Sequence, residues 1–334
     1  MKKYDAIIIG SGQAGTPLAF TLAAHEQKVA FIEKEHLGGT CLNVGCTPTK
    51  TYVASARRMF DATHGEDVGV DIPPGAKINL TKVKARKDAL IQKLVNGIAG
   101  ALEKNENITW YKGKAEFSGF KQVAVNGEKL ESERIYINVG ARARIPQGFE
   151  GVDALTNREL LDLETLPEHL IIVGGSYIGL ELGQIFRRFG SRVTIIEKGS
   201  RLIGREDEEI SAAIKEILEG EGIEFRLNAT CLSGRQETDK RVTVQVDCTQ
   251  GPPEITGTHL LLAVGRVPNT DSLNVAATGL ETDARGYIPV NDYLETVVPG
   301  IFALGDCNGK GAFTHTSYND YEIIAENMFQ RKEC

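Results

Sequence analysis

The sequence predicts an α/β protein in which one structural device is used twice. Three observations carry this reading. An apolar run, Ala6-Ile7-Ile8-Ile9, leads directly into Gly10-Ser11-Gly12-Gln13-Ala14-Gly15, and a second, Leu170-Ile171-Ile172-Val173, leads into Gly174-Gly175-Ser176-Tyr177-Ile178-Gly179. A helical pattern follows each turn (Leu18, Phe20, Leu22 in one case, Leu180, Leu182, Ile185, Phe186 in the other), and then another apolar run, Val29-Ala30-Phe31-Ile32 or Val193-Thr194-Ile195-Ile196. Each of these ends on a carboxylate, Glu33 or Glu197, 23 positions after the first glycine of its turn. Short apolar runs bounded by glycine read as buried strands, and strands alternating with helical patterns imply a parallel sheet.

The spacing has a chemical logic. The first glycine (Gly10, Gly174) makes the turn from strand to helix. The second (Gly12) lets backbone N–H groups approach a pyrophosphate, and the third (Gly15, Gly179) lets the helix pack on the sheet. The helix start offers partial positive charge to the phosphates, and the carboxylate at the end of the next strand accepts hydrogen bonds from ribose hydroxyls. A lone glycine-rich hexapeptide also simply makes a turn; the ordered recurrence of strand, turn, helix, strand and acid is what favours binding. In the second copy Ser176 replaces the middle glycine, where its β-carbon would crowd a pyrophosphate, and Gly175 beside it keeps the turn flexible. The fold class is therefore two Rossmann-like dinucleotide-binding domains, and two sites imply two dinucleotides. Glu197 would repel the 2′-phosphate of NADPH, which favours NADH at the second site, although Lys198, Arg201 and Arg205 lie close by.

With 334 residues the chain is long enough for two domains. Its 36 glycines, about 11%, exceed the usual level of roughly 7% and fit many tight turns or close approaches to ligands. A net charge of −7 argues against nucleic acid as the main partner. Met1-Lys2-Lys3-Tyr4-Asp5 does not open a secretory signal, and no apolar stretch approaches the length of a membrane span, so a cytoplasmic protein without a membrane partner is expected.

Of six cysteines, Cys41 and Cys46 stand close together in Gly38-Gly39-Thr40-Cys41-Leu42-Asn43-Val44-Gly45-Cys46-Thr47-Pro48-Thr49-Lys50. Cα atoms five residues apart in a regular helix are roughly 8–9 Å from each other, beyond the limit of about 7 Å for a disulfide. A bond between them needs a distorted turn, which Gly45 and Pro48 would permit. A strained, accessible disulfide is easier to reduce than a structural one. On the residues alone, two buried thiols remain an alternative; zinc would need further Cys or His ligands at short spacing, and none are nearby. Cys231, Cys248, Cys307 and Cys334 show no pairing pattern and read as structural or incidental.

The stretch from Gly39 to Lys50 resembles the active-site signature of the flavoprotein disulfide reductases, the class I pyridine-nucleotide-dependent family that includes dihydrolipoamide dehydrogenase, glutathione reductase and mercuric reductase. Its continuation, Thr51-Tyr52-Val53-Ala54-Ser55-Ala56-Arg57, looks nearest to the mercuric-reductase-like branch. Thr296 followed by Ile301-Phe302-Ala303-Leu304-Gly305-Asp306 is similar to the family's second FAD motif, whose aspartate contacts the ribityl chain. Gly265-Arg266-Val267-Pro268-Asn269-Thr270 resembles the segment closing the nicotinamide domain, and Asn138-Val139-Gly140-Ala141 the crossover between domains.

The resemblance implies an FAD domain from residues 1–150 and 271–334, with an NAD(P) domain, 151–270, inserted in it. It implies that Gly10, Gly12, Gly15, Glu33, Thr40, Lys50, Ala115, Gly140, Asp306 and Thr314 serve FAD, and that Gly174, Gly175, Ser176, Gly179, Glu197 and Gly265 serve NADH or NADPH. In this scheme Cys46 lies against the flavin as a thiolate, and Cys41 faces the substrate, a disulfide, a dithiol or a soft metal ion such as mercuric ion. Lys50, one helical turn after Cys46, would stabilise the thiolate and pair with Glu181. A helix beginning near Thr316-Ser317 would point its N-terminus at the flavin, and His315 would lie beside the flavin without acid–base duty. The other histidines (His25, His36, His64, His169 and His259) have no partner pattern.

The sequence departs from the family after the second FAD motif. No segment matches the third domain that forms the family's homodimer and supplies a His–Glu pair to the partner subunit, nor the paired C-terminal cysteines of mercuric reductases. The homodimer of a full-length relative is therefore in question for this chain, and the alternative function is a truncated flavin- and nucleotide-binding module without independent turnover. Elsewhere, Val83, Leu90, Leu94, Ile98 and Leu102 form a helical stripe that reads as core, Asn126-Gly127 marks a hairpin within the alternating stretch from Trp110 to Val139, and residues 206–222 read as a helix with acidic residues at its start.

Overall fold

The apolar runs picked out in the sequence are the central strands of two parallel sheets. A computed structural model describes residues 1–230, 232–247 and 251–329, so Cys231, Cys248 and Cys334 lie outside the described residues. The helices are α1 (Gly15–Ala24), α2 (Gly39–Asn43), α3 (Cys46–Asp61), α4 (Leu80–Glu103), α5 (Asn157–Leu160), α6 (Tyr177–Phe189), α7 (Glu208–Gly220) and α8 (Thr314–Phe329). Among the described residues no helix is long and apolar enough to cross a membrane.

The chain divides into two units by internal packing. The first comprises Met1–Asn43, Ile91–Arg142 and the chain from Val267 onward; the second comprises Val44–Leu90 and Ala143–Arg266. In the first, the strands run in the spatial order Ile301–Ala303, Ile135–Ile137, Ala6–Ile9, Val29–Glu33, Ile108–Lys112, every neighbour parallel. In the second the order is Ala154–Leu155, His259–Leu262, His169–Val173, Arg192–Ile196, Glu224–Arg226, again all parallel. The two sheets have one plan. The strand that precedes each glycine turn is central, the acid-bearing strand lies on one side, and a strand from much later in the chain lies on the other. Ala6–Ile9 and Leu170–Val173 are wholly buried, as strands covered on both faces must be. The crevice at their carboxyl ends, where strand order reverses, is the usual ligand position in such sheets.

Residues 44–90, which the sequence reading assigns to the first domain, pack with the second unit. Tyr52 and Ala56 of α3 and Val83 of α4 join the core that contains Phe186, Phe189 and Leu218, and the buried Tyr52 hydroxyl donates to the Leu161 carbonyl at 2.9 Å. Continuous numbering carries no sign of such an excursion. The stripe on α4 is likewise only partly core. Val83 is buried in the second unit and Leu102 in the first, whereas Leu90 and Leu94, at the middle of a helix that serves both, are exposed. The Asn126-Gly127 hairpin forms, with φ of 51° and 79° at its two turn residues. The acidic helix is α7, and α8 starts at Thr314, two residues earlier than expected.

His169 ties three strands of the second unit together. Its Nδ1 lies 3.0 Å from the Thr256 carbonyl and its Nε2 2.9 Å from the Thr194 hydroxyl. Burial lowers its pKa, and burial lowers that of His259 as well. The folded state therefore holds both imidazoles neutral, while the unfolded chain takes up protons near pH 6.5. Their contribution to stability is complete above that value and is lost as pH falls below it. The melting temperature is expected to drop between neutral and mildly acidic pH, and His169→Gln/His259→Gln to flatten that slope; an unchanged slope in the double variant would place the acid sensitivity elsewhere.

Candidate active site

In the first unit the glycine turn is held by contacts that leave no room for a β-carbon. Gly10 has φ +104°, and a Cβ there would lie 2.2 Å from the Asn138 carbonyl oxygen. A Cβ on Gly15 would lie 2.2 Å from the Gly10 carbonyl oxygen, and one on Gly12 2.8 Å from Asn138 Oδ1. Glu33 is drawn into the turn. Its Oε2 accepts from the Ser11 backbone N–H at 3.0 Å and from the Ser11 hydroxyl at 2.6 Å, and its Oε1 accepts from the Glu35 N–H at 2.8 Å. The Gly113 N–H donates to the Glu33 carbonyl at 2.9 Å, which brings the chain leading into Ala115 beside the same strand end. Gly140, with φ +63°, faces open space.

The Asp306 segment is anchored from two sides. Asn138 Nδ2 donates to the Leu304 carbonyl at 3.0 Å, while the buried Asp320 of α8 accepts from the Gly305 N–H at 2.7 Å and from Asn308 Nδ2 at 2.9 Å. Burial raises the Asp320 pKa, and the two N–H donors oppose that rise. Asp306 follows in a 3-10 turn, half-buried, and Thr314 opens α8. Cys307 is buried beside it, its thiol directed at the Leu304 and Ile137 carbonyls and pushed up to about 12 by burial, as befits an unreactive structural cysteine. His315 is exposed and stacks on Phe313 with ring centroids 5.3 Å apart.

The second unit repeats the turn. A Cβ on Gly174 (φ +118°) would lie 2.4 Å from the Ala263 carbonyl oxygen, and one on Gly179 2.0 Å from the Gly174 carbonyl oxygen. Glu197 accepts from the Gly175 N–H at 2.7 Å and, with its other oxygen, from the Gly199 N–H at 2.8 Å. Gly175 has no unusual φ; it is glycine for space, because a Cβ would come within 2.9 Å of the Glu197 β-carbon and 2.8 Å of a Leu202 methyl. Ser176 is exposed at the N-cap of α6 in extended conformation, φ −109° and ψ −175°, which any residue adopts. Gly265, φ +113°, faces open space like Gly140.

The cysteine segment breaks where a distorted turn was expected. Helix α2 carries Thr40 and the partly exposed Cys41 and ends at Asn43; α3 begins at the exposed Cys46, with Gly45 (φ −123°, ψ −117°) as N-cap and Pro48 in the first turn, where a missing N–H costs nothing. In the first unit, the Gly38 N–H donates to the Ser11 hydroxyl at 3.0 Å, and a Cβ on Gly39 would lie 2.9 Å from Gly12 Cα, so α2 starts against the glycine turn. In the second unit, Asn157 Nδ2 donates to the Val44 carbonyl at 2.6 Å, Lys50 is ion-paired with Glu181 of α6, and a shallow cleft is lined by Cys46, Thr47, Lys50, Thr51, Ala54, Arg86 and Leu90. Cys46 is the first residue of α3, and Lys50 follows it by one turn of the same helix.

Comparison with known proteins shows the family. Residues 4–320 match the family described as pyridine nucleotide-disulphide oxidoreductase. The chain belongs to that family. It is 36% identical over 325 residues to a dihydrolipoyl dehydrogenase of Acholeplasma laidlawii, covering 96% of this chain and 94% of the relative. It is 36% identical over 327 residues to a mercuric reductase of Lysinibacillus sphaericus, covering 97% of this chain and 59% of the relative. The structure of the HOCl-induced flavoprotein disulfide reductase RclA from Escherichia coli, solved as a Cu(II) complex, superposes with a TM-score of 0.88 at 33% identity and covers 98% of this chain and 71% of that one. Membership brings a flavin and a pyridine nucleotide as cofactors and electron transfer between NAD(P)H, flavin and disulfide as the chemistry.

The residues fit both cofactors, since each glycine turn packs backbone against backbone with no room for a β-carbon and each has its acid fixed by a backbone N–H group. Sequence reasoning did not assign roles to the side chains of Ser11, Asn138, Asp320, Arg86 or Asn157, which align the turns and the cysteine segment. For Asn138 a signal existed, an amide directly after the buried run Ile135-Tyr136-Ile137. The backbone contact at Gly179 gives a direct test. Gly179→Ala is expected to cost about 3 kcal/mol, whereas Gly183→Ala, whose Cβ would meet movable Ile195 and Ile172 methyls at 3.0 and 3.2 Å, is expected to cost about 1 kcal/mol or less. Equal urea midpoints for the two variants would refute the backbone-contact argument.

Proposed function

We propose that this chain passes electrons from NADH, by way of FAD, to the Cys41/Cys46 pair and on to a soft acceptor, a disulfide or a thiophilic metal ion. The observation that carries this reading is Cys46 at the first position of a 16-residue helix, with a cation one turn on whose carboxylate partner is Glu181. In this reading the first unit holds FAD through the Gly10–Gly15 turn, Glu33, Gly140 and Asp306, and the second holds the nicotinamide dinucleotide through the Gly174–Gly179 turn, Glu197 and Gly265.

FAD, when bound, supplies a two-electron carrier between the nicotinamide and sulfur. The chain's own residues do the rest. Cys41 and Cys46 exchange a disulfide for one thiol and one thiolate, taking up two electrons and one proton. Lys50, fixed by Glu181, keeps positive charge near Cys46 so that the thiolate survives at neutral pH. Cys41 then attacks a substrate sulfur or binds a soft metal, chemistry for which thiolates are suited. The relatives named mercuric reductase, and the RclA structure holding Cu(II), support a metal ion within the acceptor class. Such thiol chemistry suits a reducing compartment, the cytoplasm.

NADH is favoured over NADPH because both Glu197 oxygens are tied to backbone N–H groups, so its negative charge is fixed where a 2′-phosphate would lie. Of the three cations that could offset it, Lys198, Arg201 and Arg205, Arg201 turns its guanidinium to the Gly204 carbonyl at 3.1 Å.

The chain loaded with FAD and mixed anaerobically with NADH is expected to lose its main visible flavin band and gain a long-wavelength thiolate–flavin band. Cys46→Ser should keep the first and lack the second. Glu181→Gln should slow thiol reduction by about fivefold, the equivalent of about 1 kcal/mol from a half-exposed ion pair. FAD that stays oxidised with both NADH and NADPH would reduce the chain to a cofactor-binding module and overturn the proposal.

A further inference from the structure

The two glycine turns are near copies, and the place where they differ is informative. In both, the central strand, the first glycine and the third strand are bonded alike: Gly10 N–H to the Ile32 carbonyl and Gly174 N–H to the Ile196 carbonyl, each at 2.8 Å, and Asn138 N–H to the Ile9 carbonyl at 2.7 Å and Ala263 N–H to the Val173 carbonyl at 2.8 Å. Asn138 and Ala263 are thus equivalent positions, each two residues before an open glycine with positive φ, Gly140 or Gly265. One carries a carboxamide and the other a methyl group.

The carboxamide is 5% exposed, and both of its ends are engaged. Asn138 Oδ1 accepts from the Gly15 N–H at 2.9 Å, and Nδ2 donates to the Leu304 carbonyl at 3.0 Å. It therefore binds the first backbone N–H of α1 and the residue two before Asp306, segments far apart in sequence. Gly305 is held from the opposite side by Asp320. In the second copy, where Ala263 offers no acceptor, the helix begins at Tyr177, two residues earlier in the repeat than Gly15. The difference extends to the middle position of the turn. A Cβ at Gly12 would meet Asn138 Oδ1 at 2.8 Å, whereas the equivalent residue of the second copy is a serine, beside a position that has only a methyl group.

We infer that Asn138 is a positioning residue for FAD, setting the pyrophosphate turn and the Asp306 segment at a fixed separation, and that its carboxamide adds a second bar to a side chain at position 12. The inference rests on the proposal that the first unit holds FAD. It assigns Asn138 no contact with the cofactor; the side chain acts through Gly15 N–H and Leu304 O. A dinucleotide with a ribityl chain needs two protein segments in register, one at each end of that chain, and the carboxamide joins them.

Stripped protein retitrated with FAD, followed by quenching of flavin fluorescence, tests this. Asn138→Ala should fold, since alanine occupies the equivalent position of the second copy, and should bind FAD about tenfold more weakly, with an altered visible circular dichroism of the bound flavin. ADP-ribose binding, which reads the second unit, should not change. Gly12→Ser should be severely impaired in the wild-type background and recover about tenfold when Asn138 is also alanine, a rescue that a general loss of stability would not produce. Should Asn138→Ala melt below the assay temperature, Asn138→Ser, with a hydroxyl too short to span both partners, is read in the same way. Wild-type FAD affinity in Asn138→Ala, or equal impairment of Gly12→Ser in both backgrounds, overturns the inference alone. A wild-type chain that takes up no FAD overturns it together with the proposed function.

Discussion

A carbonyl oxygen stands where the β-carbon of any residue but glycine would be, and this happens at the same point in both units. The oxygen of Asn138 would lie 2.2 Å from a Cβ on Gly10, and that of Ala263 2.4 Å from one on Gly174. The same closeness recurs within each turn, between Gly15 and Gly10 and between Gly179 and Gly174. Because backbone lies against backbone, the helix rises directly from the end of the sheet, and its first N–H groups are presented at one spot instead of being spread along a loop. The position of the acid follows from this. Glu33 and Glu197 are held by N–H groups of turns that could not come so near if a side chain intervened.

On this common backbone the two copies are finished differently. The first has Ser11, whose hydroxyl binds Glu33 and receives the Gly38 N–H, and Asn138, whose amide reaches Gly15 and Leu304. The second has Ala263 in place of Asn138, and Gly175, against which Leu202 and the chain of Glu197 itself lie. The copies thus share their central strand order and differ in a handful of side chains at equivalent positions and in where the helix begins.

Much of this was legible in the residues. Ala6–Ile9 and Leu170–Val173 were recognisable because complete burial demands unbroken apolar runs, and the glycines and acids because their spacing reflects a local geometry contained within one strand–helix–strand segment. The break between α2 and α3 was legible for the same reason, since Gly45 and Pro48 act locally. What escaped was long-range. The affiliation of residues 44–90 depends on Tyr52 meeting Leu161, 109 positions away, and no periodicity in α3 encodes that partner. The stripe on α4 read as continuous core because periodicity reports a face and not what covers it; Leu90 and Leu94 share the face but not the cover. Asn138 and Asp320 act across 123 and 15 positions to align backbone groups, and a polar residue serving backbone has no spacing rule by which to be found.

The start of α2 ties two properties of the chain together. Gly38 and Gly39 lean on Ser11 and Gly12, and Cys41 comes only two residues later, before the short helix ends. On the proposed function, the sulfur that meets the substrate is thereby mounted on the turn that holds the FAD pyrophosphate. Selection on reactivity and selection on cofactor retention consequently press on the same few atoms. On that function, a lineage exploring new acceptors is constrained at Gly38 and Gly39, whose contacts with Ser11 and Gly12 tie the cysteine helix to the cofactor turn.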